Sequence, residues 1–138
     1  MPLRVFGGWD FTADDLDAAD WVAAGYQRGV PMGATLPAPP AGADAAPTLM
    51  IMASADPRSG HLDRVQVVKG WLDADGSPRE RIFDVAWSGG REPGPDGRLP
   101  AVGDTVDRKT ATYTNTIGAP TLSTVWQDPD YRPGQSAF

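Results

Sequence analysis

The chain has 138 residues and a net charge of −6, a size that fits one globular domain and a charge that argues against nucleic-acid or anionic-membrane partners. Gly 16 and Pro 14 force many turns and discourage long helices. No apolar run reaches the roughly 18 residues that a bilayer span needs, and Cys 0 excludes disulfides, thiolate metal sites and a cysteine nucleophile. The opening residues hold no apolar stretch of signal-peptide length, and the compartment is left open.

Leu3 to Trp9 reads as a short strand broken at Gly7-Gly8. One helix follows. Thr12 is placed to cap it, with Asp15 as a capping-box partner and Phe11 and Leu16 as a hydrophobic staple. Asp14, Asp15 and Asp17 sit where a helix N-terminus favours negative charge. Leu16, Ala19, Val22, Ala23 and Tyr26 recur at helical spacing and form the expected buried stripe, with Gly25 or Gly29 as the stop. Residues 31–47 carry five prolines among Ala and Gly and read as an extended connector between the helix and the main β region.

Thr48 to Ala53 is a compact apolar run of strand length, bounded by Pro47. From Leu62 to Ser88 the pattern is a β-hairpin around the polar turn Asp73 to Pro78. Val65, Val67 and Trp71 share one face of its first strand, and Leu62, Val68 and Leu72 share the other. Apolar residues on both faces predict a central strand, with Val68 and Val85 in the core. Gly89 to Pro100 is a breaker-rich loop, and Thr112 to Thr114 has strand propensity. Thr121 to Trp126 fits one more short strand or a helical turn. The fold class is α+β and β-rich. It consists of a small antiparallel sheet or incomplete β-sandwich with one N-terminal helix and long Pro/Gly-rich loops.

Little in the chain carries reaction chemistry. His61 is the only histidine, and with Asp56 and Asp63 it falls short of the converging ligands a catalytic zinc site needs, so it reads as a surface imidazole at a strand start. No serine sits in a Gly-x-Ser-x-Gly elbow. The carboxylate pairs Asp73/Asp75, Asp104/Asp107 and Asp128/Asp130 lie in turns, and Asp73-Ala-Asp-Gly76 lacks the distal Glu of a calcium loop. Trp71 and Trp87, if they share a face of the hairpin, form a cross-strand aromatic pair. Exposed, that pair is a sugar-stacking platform; buried, it is core. Trp71, Trp87 and His61 are the candidate ligand-facing residues, and no catalytic or metal-ligating residue is assigned.

Several strings carry a resemblance that runs in order along nearly the whole chain. They include Arg4-Val-Phe-Gly-Gly-Trp-Asp-Phe11, Gly29-Val-Pro-Met-Gly33, His61-Leu-Asp-Arg-Val-Gln-Val-Val-Lys-Gly-Trp71 and Phe83-Asp-Val-Ala-Trp-Ser88. Leu99-Pro-Ala-Val-Gly-Asp-Thr-Val-Asp107, Ala111-Thr-Tyr-Thr-Asn-Thr-Ile-Gly118 and Trp126-Gln-Asp-Pro-Asp130 continue it. Together they resemble the C-terminal part of the domain-of-unknown-function 3604 family. The resemblance implies a much longer parent whose N-terminal part is similar to metal-dependent hydrolases of the polymerase-and-histidinol-phosphatase type, with divalent ions held by His-x-His and Asp-His motifs. Those motifs do not occur here, so no metal or catalytic role transfers to any position and no cofactor is implied for this segment.

On that resemblance residues 1–138 are a single, truncated accessory domain that lacks the family's closing aromatic strand from about Phe138. Its implied partner is the absent hydrolase domain of the same polypeptide, with self-association through an open sheet edge when alone. Neither nucleic acid nor membrane insertion is expected. The competing readings are a free-standing carbohydrate- or ligand-binding β module with an aromatic face, and an inert fragment.

Overall fold

The computed structural model describes residues 2–41 and 45–138. Its centre is the apolar run found in the sequence, now strand β3 (Thr48–Ser54), which needs a neighbour on each edge because both of its faces are greasy. β1 (Leu3–Gly8) pairs on one side, setting Phe6 opposite Met50, and β8 (Thr121–Gln127) pairs on the other, setting Val125 opposite Met50. A two-residue strand, β2 (Val30–Pro31), completes an antiparallel sheet in the order β2-β1-β3-β8. The stretch from Thr121 is thus a strand and not a helical turn.

The expected single helix is two. α1 (Ala13–Asp17) stops at Ala18, whose φ of −68° and ψ of 142° are extended, and α2 (Trp21–Arg28) begins afresh after Asp20. Asp14 and Asp15 suit the start of α1, where a helix N-terminus favours negative charge, and Asp20 takes the N-cap position of α2. The break leaves Asp17 at the C-terminal end of α1 with no basic residue in its last turn. Of the predicted stripe only Leu16 is buried; Val22 packs at the core margin, the largely exposed Tyr26 touches Phe6 with its ring, and Ala19 and Ala23 face out. The cap is as expected: the Thr12 N–H and hydroxyl both donate to Asp15, at 2.8 and 3.0 Å.

The helices cover one face of the sheet around Phe6, Phe11, Leu16 and Met50, with Trp21, Val22, Met52 and Val125 packed at the margin. The Trp21 and Tyr26 rings meet the Phe6 ring edge-on at 5.9 and 4.9 Å between centroids. A glycine is required at position 25, since a Cβ there would stand 2.4 Å from the Phe6 ring. Among its described residues the connector holds no strand or helix beyond Pro31, and Trp9 donates its indole N–H to the Pro37 carbonyl at 3.1 Å. Gly42, Ala43 and Asp44, which belong to that connector, lie outside the described residues.

The hairpin consists of β4 (Arg64–Leu72) and β5 (Pro78–Trp87), with a bulge between Val65 and Gln66. It stands apart from the larger sheet as a two-stranded ribbon, so β4 is not a central strand. Val65, Val67 and Trp71 are half-buried toward the molecule, whereas Val68, Leu72 and Ile82 are 54%, 59% and 53% exposed. The expected core position of Val68 is therefore wrong, because on that face, among the described residues, only the Phe138 ring lies over Gly70 and leaves Val68 to water; Val85 is half-buried, and the partner of Val68 is Ile82. The ribbon leans on the main sheet through Phe83 and Trp126, whose rings are 5.1 Å apart. It is also tied there by a Leu62–Ala119 backbone pair. On the β4 edge away from β5, Gly70 exchanges both backbone hydrogen bonds with Phe138, at 2.8 and 2.9 Å. Two-residue strands β6 (Val106–Asp107) and β7 (Thr112–Tyr113) form a small third ladder in the Thr-rich stretch. The architecture is a β-rich α+β fold of small antiparallel sheets with few helical residues.

Candidate functional site

Inward-facing positions of β4 are apolar except Lys69, which is only 7% exposed. A buried ammonium needs a partner and further hydrogen bonds, and both come from the segment after β8. The Lys69 Nζ lies 2.5 Å from Asp128 Oδ2 and donates to the Asp130 carbonyl at 3.0 Å. Asp128 is itself held in place by the Asp130 N–H, which donates to its other oxygen at 2.9 Å. Across the ladder from Lys69 stands Arg81, which pairs with the Asp130 carboxylate and stacks on Phe83.

Two residues along β4, the Trp71 indole N–H donates to Asp73 Oδ1 at 3.1 Å, while Arg79 donates to Oδ2 of the same carboxylate at 2.5 Å. The Arg79 hydrogen bond, aided by that from Trp71 and by the charges of Arg79 and Arg132, holds the Asp73 carboxyl below its ordinary range. Together Lys69, Trp71 and Asp73 from the β4 side, Arg81 from β5, and Asp130, Arg132 and Gln135 from the C-terminal segment enclose a cavity of about 220 Å3. Trp71 supplies its one aromatic wall, and the other six lining residues are charged or polar.

The three residues singled out in the sequence do not meet. Trp71 is opposite Arg79 and Trp87 is opposite Arg64, seven residues apart along β4, which is roughly 23 Å at the rise of a strand. They are not a cross-strand pair, because the turn at Asp73–Ser77 sets Trp71 one residue from the loop end of β4 while Trp87 reaches the other end of the ladder. Trp87 donates its indole N–H to the Arg91 carbonyl at 2.7 Å. It sits in a clamp where Arg64 donates to the Leu99 carbonyl and Arg91 to the Pro100 carbonyl.

His61 borders a shallow cleft of about 350 Å3 shared with Gly103–Val106 and Tyr113–Asn115, and its backbone N–H donates to Asn115 Oδ1 at 3.0 Å. Among the described residues no group of three or more His, Cys, Asp or Glu is placed to hold a metal ion.

Of the cavity residues, sequence reasoning named Trp71 and the turn acids Asp73 and Asp130 but missed Lys69, Arg81, Arg132 and Gln135. A signal for Lys69 was present, since it is the one charge in the inward phase of Val65-Gln-Val-Val-Lys-Gly-Trp71. Nothing local marks Arg132 or Gln135, which reach the cavity only through tertiary folding.

No curated protein and no solved structure matches the chain. A family model described as a protein of unknown function (DUF3604) matches residues 1–138. Covered by that model from its first residue to its last, the chain belongs to the DUF3604 family.

Proposed function

We propose that this chain is a non-catalytic accessory region of a longer polypeptide with a metal-dependent hydrolase portion, and that it docks on that portion through the outer face of the β4–β5 ribbon. The observation that supports this reading is the apolar character of that face. Val68 and Ile82 are direct cross-strand partners, Leu72 follows on the same side, and Phe138 beside them is 88% exposed. A water-facing set of large apolar side chains of this kind is the mark of an interaction surface. The metal-dependent hydrolase portion rests on the resemblance, and its ions would be held by its own His-x-His and Asp-His motifs, leaving this region to cover or shape the substrate pocket.

The test begins with the reading frame upstream of this sequence, which should encode those motifs. The hydrolase portion and this chain, produced as separate polypeptides, should sediment together. Val68→Asp with Ile82→Asp should abolish the association while leaving the melting temperature of the isolated chain unchanged. An upstream frame without the motifs, or two portions that sediment independently, would sink the reading.

A further inference from the structure

We propose that the cavity at Trp71 binds a small ring compound carrying one carboxylate, a hexuronic acid sugar being the simplest representative. This inference is independent of the docking role, which uses the opposite face of the ribbon.

The charges around the cavity do not balance. Lys69 is neutralised by Asp128, Arg79 by Asp73 and Arg81 by Asp130. That leaves Arg132, at the cavity wall, as the cation without a close ion pair among the described residues; its charge reaches Asp73, whose oxygens already accept from Arg79 and Trp71. A guanidinium presents a planar fork of donors that matches a carboxylate in bidentate fashion, which a lysine could not do. Its neighbour Gln135 brings an amide that both donates and accepts, the capacity that a ring hydroxyl requires.

The third element is Trp71. Its N–H is committed to Asp73, which fixes the indole in place, and its ring forms the aromatic wall of the cavity, with the Lys69 ammonium 5.8 Å from the ring centroid. The volume of about 220 Å3 is below the range of about 300–1,000 Å3 usual for drug-sized ligands and suits a single ring. The walls come from β4, β5 and the C-terminal segment, and the buried Lys69–Asp128 pair holds these parts together, so the cavity is preformed.

The probe is D-glucuronate, with D-glucose and acetate as comparators, titrated into the full chain and followed through the Trp71 indole N–H signal by 1H–15N NMR. Glucuronate should move that signal saturably, and glucose and acetate should each bind at least about tenfold more weakly, the difference expected when a charge-assisted contact or the ring contact is missing. Arg132→Gln, which keeps hydrogen-bonding groups but removes the charge, should reduce glucuronate affinity by about tenfold or more without lowering the melting temperature. Gln135→Ala provides a second variant, at a half-buried position, and should weaken binding less. Overturning results are an indole signal that glucuronate leaves in place, glucose or acetate binding as tightly as glucuronate, or a fully folded Arg132→Gln that binds glucuronate as well as the parent.

Discussion

Lys69 and Asp128 have side chains only 8% exposed each, so removing either one leaves a charge in a place that water reaches poorly. Lys69→Met should destabilise the fold by about 3–5 kcal/mol. Asp128→Asn, which keeps an acceptor for the Asp130 N–H, should destabilise it by a similar amount. The double variant should lose clearly less than the sum. Urea unfolding of the three variants measures this, and single losses below about 1 kcal/mol would mean that the pair is solvated.

The more exposed carboxylates act through pH. The Arg28 hydrogen bond, then the Thr12 backbone N–H, hold the Asp15 carboxyl below its ordinary range, as Arg79 does for Asp73. A carboxyl lowered in the folded state stabilises it above the unfolded pKa, and that support is lost as pH falls through the folded value. The melting temperature should therefore hold near neutrality and decline from about pH 4 downward. Asp15→Asn should flatten part of that decline. Residue-scale features were legible where they are local. The Thr12–Asp15 cap spans three positions and could be read directly, whereas Lys69 and Asp128 are 59 residues apart and carry no mutual signal.

At the scale of elements, the same side-chain chemistry has opposite consequences in β3 and β4. Met50, with no exposure at all, is enclosed by the helices and by both neighbouring strands, and Met50→Ala should destabilise by about 2–5 kcal/mol. Val68→Ala should change stability by less than about 0.5 kcal/mol, because that side chain already faces water. Thermal and urea unfolding of both variants checks the contrast, and a large loss at Val68 would require a cover over the ribbon. Apolar runs bounded by turn residues located both strands but could not tell their surroundings apart, since an apolar face looks the same in sequence whether the chain itself covers it or a partner does. The helix was misread for a different reason. Its apolar spacing runs on through residues 18–20, but Ala18 is extended and Asp20 caps a second helix, so periodicity alone could not locate the interruption.

For the whole molecule, the ribbon leaves β4 with one edge closed by β5 and the other, among the described residues, bridged only by Ala137 and Phe138. Unpaired strand edges next to exposed apolar side chains recruit further chains. The isolated protein should therefore show concentration-dependent association in sedimentation velocity, reduced by Val68→Lys with Ile82→Lys, even though its net charge of −6 favours separation. A monomer at all concentrations would mean that the edge is protected. The β-rich class was legible at this scale from turn spacing and strand composition. The division into separate sheets was not, because it depends on which strands pair across long stretches of chain.

That long-range pairing has a kinetic consequence. β3 receives β8 in the register Thr48↔Gln127 to Ser54↔Thr121, so the central strand must wait for residues some 70 positions later before its second edge is filled. Loop closure of that length precedes any reward from the contacts it brings, and topologies of this kind fold in milliseconds to seconds. During synthesis β3 emerges well before its partner, with its most hydrophobic residues exposed at an unfinished edge. The quality of refolding should depend on dilution for this reason, and Trp126, which joins the ladder opposite Leu49 and packs on Phe83, is placed to report the step by its fluorescence.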